Sequence, residues 1–154
     1  KERIKNEAVQ IAKKMFKNTP VIYVAEGFEG VAVRFKQQLN ENSKTLAWHN
    51  VIPEMNHNEL LGWRTNVNNL SVIYFRNKCD YSRNKTRIDI NKKVISKYTD
   101  NITEVWSQGD SLIENTLYHI HIGDWASWYL SDANKVDAIE IDVIDFLKSE
   151  LAKI

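Results

Sequence analysis

Ile4, Ala8, Ile11, Ala12 and Met15 return every three or four positions, the spacing that places them on one face of a helix. The pattern predicts a helix over 1–16, stopped by the Asn18-Thr19-Pro20 turn. Val21 to Ala25 is then apolar without alternation and too short for a helix, which predicts a strand covered on both faces. After the turn punctuated by Gly27 and Gly30, Phe28, Ala32, Phe35 and Leu39 recur at helical spacing. Arg34, Gln38 and Glu41 make the opposite, polar stripe of that helix.

The alternation continues. A short strand is predicted over 45–48, a turn through Pro53, a brief helix over 58–62, and the most apolar strand over 70–75. Ile88, Ile90, Val94 and Ile95 predict a helix within 81–98, followed by a strand over 102–106. Asp110-Ser111 is a helix cap ahead of 112–122, and Gly123 is expected to break or kink that helix before 127–130. Asp142 is placed to cap a last helix whose stripe is Ile144, Leu147, Leu151 and Ile154. Four apolar strands separated by helices predict one domain over 1–154, a three-layer α/β/α sandwich with a mainly parallel sheet, flavodoxin-like or Rossmann-like. No repeat, low-complexity tract or linker-like run marks a boundary inside the chain.

The 154 residues are 43% apolar and 27% charged, enough for one hydrophobic core. Lys and Arg total 21 against 20 Asp and Glu, so the excess positive charge that carries nucleic-acid binding is missing. No apolar run approaches the length of a membrane span, and the chain is expected to be soluble and cytoplasmic. Cys79, the only cysteine, has no flanking pattern of a reactive thiol, and the Asn84 and Asn101 sequons mean little without a secretion signal. Neither GxGxxG nor GxxxxGK[ST] occurs, so no cofactor is expected.

Glu41, His49, Glu54, His57 and Glu59 fall within nineteen positions of a chain that has only four histidines. Imidazole and carboxylate suit zinc or manganese, but no HExxH is present. His119 and His121, two apart on a helix, would point different ways. A second reading is metal-free acid/base chemistry. Glu41 lies at the carboxyl end of its helix, where the dipole disfavours a negative charge and favours a base ready to take a proton. A histidine nearby in the fold would move a second proton on oxygen. On composition alone, a solvated helix end and a loop histidine remain the plainer alternative.

Asn40-Glu41-Asn42-Ser43-Lys44, Pro53-Glu54-Met55-Asn56-His57-Asn58-Glu59, Gly123-Asp124-x-x-Ser127-x-Tyr129-Leu130 and Ile144-Asp145-x-Leu147-Lys148 occur in that order. Together they resemble the carboxyl-terminal half of the bifunctional phosphoglucose/phosphomannose isomerases, members of the sugar isomerase (SIS) fold group. The resemblance implies interconversion of glucose 6-phosphate or mannose 6-phosphate with fructose 6-phosphate through an enediol, without a metal. It makes Glu41 the base between C1 and C2, His57 the ring-opening proton carrier, and Lys148 an aid to ring opening that holds charge developing on oxygen. Such chemistry needs a base, a stabiliser for the enediolate oxygen and a way to open the cyclic sugar.

The resemblance also implies a homodimer and a preceding SIS domain whose Ser/Thr-rich turns grip the phosphate. No Ser-Gly-x-Thr loop follows Val21 to Ala25, and the chain starts at Lys1, so it is expected to be the second domain of a longer protein. Where the family often has Asp-Pro-Thr-Pro before the last helix, this chain has Asp137-Ala138-Ile139-Glu140, which removes a threonine hydroxyl and opens the choice of epimer. The alternative reading is a SIS module that binds a sugar phosphate or dimerises without turnover. A sensor, however, has no need for Glu41, His57 and Lys148 together.

Overall fold

The computed structural model describes residues 2–65 and 69–154; Lys1, with which the first predicted helix opens, lies outside them. Strands β1 (Thr19–Ala25), β2 (Trp48–Ile52), β3 (Leu70–Arg76) and β4 (Ile102–Trp106) form one parallel sheet in the order β2-β1-β3-β4. Helices α1 (Glu2–Met15), α2 (Glu29–Ser43), α3 (Glu59–Gly62), α4 (Ser82–Ile95), α5 (Leu112–Asn134) and α6 (Asp142–Leu151) complete the domain, with single 3-10 turns at Glu54–Asn56 and Trp63–Thr65.

Alternate side chains of β1 and β3 enter two separate cores, as the pleat requires. Ile22, Val24, Ile73 and Phe75 pack under α1, α2 and α5; Val21, Tyr23, Val72 and Tyr74 pack under Met55, Trp63, Ile88 and Ile95 of the other layer. Both central strands are buried from their second residue onward. Burial on both faces leaves no polar alternation to read, which is why these strands appear in the sequence as unbroken apolar runs. The three-layer parallel sandwich is the predicted fold.

Three details differ from the sequence expectation. The second strand starts at Trp48 rather than Thr45. Lys44 adopts a left-handed conformation (φ 53°), and Thr45 is tied to the end of α2 by its own N–H to the Leu39 carbonyl (3.1 Å) and by Asn40 Nδ2 to its carbonyl (2.7 Å). Leu46, which made this stretch look like a strand, is 83% exposed.

Gly123 does not interrupt α5, which runs unbroken for 23 residues. Its role is proximity: a Cβ there would lie 3.0 Å from Phe35 Cδ2, so glycine lets α5 lie directly on α2. Ser111 does cap this helix, in a reciprocal box with Glu114. In α6 the N-cap is Ile141 and Asp142 is the first helical residue, favourable to the helix dipole but making no side-chain cap bond. The apolar stripe of α6 exists but is not covered within this chain, since none of its residues is buried.

Candidate active site

Helix α2 runs antiparallel to the strands it connects, so its last turn sits at the amino end of β2. Glu41 is in that turn, exposed. It lines an open groove of about 490 Å³ with Asn40, Lys44, Thr45 and Leu46 on one side and Glu140, Ile141, Val143 and Ile144 on the other. The far wall is therefore the start of α6. Lys148 is not in the lining, but it is one turn beyond Ile144 on the same helix face. Its side chain is 67% exposed, with Nζ 3.4 Å from Asp145 Oδ1.

The end of α2 is held by polar contacts. Asn42 Nδ2 donates to Ser127 Oγ (2.9 Å), Ser43 Oγ to the Ser127 carbonyl (2.7 Å), and Asn134 Nδ2 to the Ser43 carbonyl (3.0 Å) and Thr45 Oγ1 (3.0 Å). Ser43 and Ser127 are buried, so these bonds fasten the Glu41 turn to α5. The Lys44 ammonium donates to the Glu41 carbonyl (2.7 Å) and to the Glu140 carbonyl (2.6 Å), joining α2 to the segment that leads into α6. Lys44 was visible in the sequence only as part of a motif. Its place as a clamp across the groove depends on a left-handed turn that no periodicity announces.

His57 lies elsewhere. It follows the 3-10 turn after β2, at the carboxyl end of the sheet, so the whole of β2 separates it from Glu41. Four residue steps of strand span about 13 Å. The imidazole is exposed and forms no side-chain hydrogen bond with another described residue. One chain thus brings Glu41 and the α6 face bearing Lys148 to a common groove and leaves His57 at the opposite end of the same edge strand.

The other acidic and histidine residues of this region disperse as well. His49 Nε2 is 3.8 Å from Glu29 Oε1, at the start of α2, and Glu59 turns inward to Tyr23. Among the described residues, no three His, Cys, Asp or Glu side chains converge as a metal site would need. His119 and His121 diverge as helical spacing dictates. His119 is buried under β3 with Nε2 3.0 Å from Asn77 Oδ1, while His121 is on the outer surface of α5.

Comparison with known proteins meets this geometry at the level of family. The family described as bacterial phospho-glucose isomerase C-terminal SIS domain matches residues 4–151. A bifunctional phosphoglucose/phosphomannose isomerase of Aquifex aeolicus is 32% identical over 154 residues, covering 99% of this chain and 48% of that protein. Its counterpart in Caldicellulosiruptor bescii is 34% identical, covering 97% of this chain and 45% of that one. This chain therefore spans about half the length of these relatives. Among solved structures, a glucose-6-phosphate isomerase like protein from Thermus thermophilus superposes with a TM-score of 0.73 at 15% identity. The superposition covers 92% of this chain and 46% of that one and is a likeness of fold. Match, identity and coverage together place the chain in the family of bacterial phospho-glucose isomerase C-terminal SIS domains.

Proposed function

We propose that this domain supplies the base and the ring-opening groups of a hexose 6-phosphate isomerase that needs no metal and is completed by a preceding SIS domain and a second copy of the chain. The observation that carries the proposal is the Glu41 groove. A carboxylate stands at the rim of an open space within the usual range of small-ligand sites, with the Lys148 helix as its far wall. In this reading Glu41 removes the proton from C2 of the open-chain aldose, giving an enediol, and returns it to C1 to give the ketose. Lys148 lies one turn along α6 to meet charge developing on the sugar oxygens. The phosphate is held by the preceding domain, where remote binding energy positions C1 and C2 over the base.

His57 completes the site from the second copy. β2 is an edge strand, with Glu41 at its amino end and His57 at its carboxyl end. An isologous two-fold dimer supplies His57 of each chain to the Glu41 site of the other, twice. Mixing tests this arrangement. In complete polypeptides, Glu41→Gln and His57→Ala homodimers each lose turnover of fructose 6-phosphate. A subunit-exchanged 1:1 mixture should recover roughly a quarter of wild-type turnover, because half the dimers carry one intact site. No recovery despite verified exchange would place both residues in one subunit's site and refute the shared arrangement.

A further inference from the structure

His57 has no side-chain partner of its own among the described residues, so its position is set by the backbone on either side of it, and that backbone is anchored twice. Upstream, Asn56 Nδ2 donates to Asn91 Oδ1 of α4 (2.6 Å), and Asn91 Nδ2 reaches the sulfur of the fully buried Met55 (3.2 Å). Downstream, Glu59 turns back into the sheet. Its Oε1 accepts from Tyr23 Oη (2.5 Å) and Trp48 Nε1 (3.1 Å), and its Oε2 accepts from Asn50 Nδ2 (2.7 Å).

All three neighbours present a hydrogen to Glu59, and each is fixed in doing so. Tyr23 Oη already accepts from Trp63 Nε1 (3.1 Å), leaving its own proton for Glu59, and an indole nitrogen can only donate. Asn50 cannot turn its amide over, because its Oδ1 accepts the Val51 N–H (2.7 Å). Tyr23 is buried, and its phenol is pushed far above its ordinary range by that burial first and by the Glu59 bond second, so it stays a donor. A receptor of three donors fits a group that accepts on both oxygens. A glutamine would turn an NH₂ against one of them. A half-buried carboxylate is also a costly filler, which argues that the site needs its acceptors.

We propose that Glu59 is a positioning residue for His57, the carboxylate that fastens the His57 turn to β1 and β2, with Asn56–Asn91 as the second fastening. The inference rests on the ring-opening role given to His57 above. In the complete polypeptide, Glu59→Gln should lower kcat for glucose 6-phosphate by about 10- to 100-fold, the scale of a small misplacement, with KM changed far less. The decisive readout is a double-mutant cycle with His57→Ala. Once His57 is gone, Glu59→Gln should cost nothing further within about twofold. Should Glu59→Gln not yield folded protein, Asn91→Ala in the same cycle carries the test with the same expectation. If the double variant falls below His57→Ala by the full factor of the single change, or if both anchor variants keep wild-type kcat, Glu59 does not act through His57 and the inference is overturned. If His57→Ala itself keeps wild-type turnover, the ring-opening assignment fails first and takes the inference with it.

Discussion

The buried imidazole of His119 makes the stability of this domain depend on pH in a way that can be worked from the structure. Its ring centroid lies 4.7 Å from that of Phe75, 6.1 Å from Tyr118 and 6.4 Å from Phe28, with no solvent exposure. Asn77 donates its amide to Asp80 Oδ1 (3.1 Å), which turns Asn77 Oδ1 toward the ring and makes His119 Nε2 the protonated nitrogen of a neutral imidazole. Burial lowers the His119 pKa from 6.5 to about 4. Between those two values the unfolded chain binds a proton that the native chain refuses, so stability falls as pH falls through this window. From pH 7 to pH 4.5 the shift amounts to between about 2 and 3 kcal/mol, a large share of a typical domain's stability.

The perturbation is His119→Gln, which keeps an N–H to offer Asn77 and removes the titration. Asp80 contributes with opposite sign, because burial raises its carboxyl pKa, but it is present in both proteins and largely cancels in the difference. Urea unfolding at a series of pH values gives the free energy of each. The variant should be the less stable at pH 7, having lost the ring contacts, and the gap should close by about 2 to 3 kcal/mol by pH 4.5. Parallel curves for the two proteins from pH 7 to 4.5 would show that burial does not keep His119 from binding a proton in the folded chain.

Three further outcomes are expected of the domain. Gly123→Ala forces a Cβ to within 3.0 Å of Phe35 Cδ2, and Phe35 is itself packed edge-on to Phe75. The overpacking, about 1–3 kcal/mol, should outweigh the helix-propensity gain of up to about 1 kcal/mol, and a raised thermal midpoint would contradict the close approach. Ser111→Ala removes the cap of α5, whose Oγ accepts the Glu114 N–H (3.2 Å), and should lower the thermal midpoint by about 2–4 °C in calorimetry. Deleting 142–154 removes a helix with no buried residue, so the midpoint of the isolated domain should move by less than about 2 °C, and a collapse of the transition would show that α6 supports the core.

The parts of the fold that were legible in the sequence are those where burial is one-sided or complete. β1 and β3 announce themselves because both faces are covered, and α1 because its stripe is. β2 was misplaced because an edge strand with only Ile52 fully buried has little pattern to show, and an exposed Leu46 supplied a false one. Gly123 was read by its backbone freedom, whereas the structure uses its missing side chain against Phe35. The candidate residues could be named from the sequence, but where the fold puts them could not. Glu41 and His57 are sixteen positions apart in the chain, and no spacing rule reveals that a strand of the sheet runs between them. Glu59 shows the converse. It stood in the sequence as one more acid in a cluster, and only its three donors, two of them from β2 and one from β1, reveal what it holds.

The role proposed for Glu41 is to move the proton between C1 and C2. The most direct measurement follows the C2 deuterium of [2-²H]glucose 6-phosphate, into solvent and into C1 of the product, during turnover to fructose 6-phosphate by the complete polypeptide and its Glu41→Gln variant, with a chelator present. In the wild type the deuterium should leave C2, to solvent or to C1 of the product, as fructose 6-phosphate forms, undiminished by the chelator; in the variant it should stay on C2 although the sugar phosphate still binds. Departure of deuterium from C2 in Glu41→Gln at the wild-type rate would give the role of base to another residue.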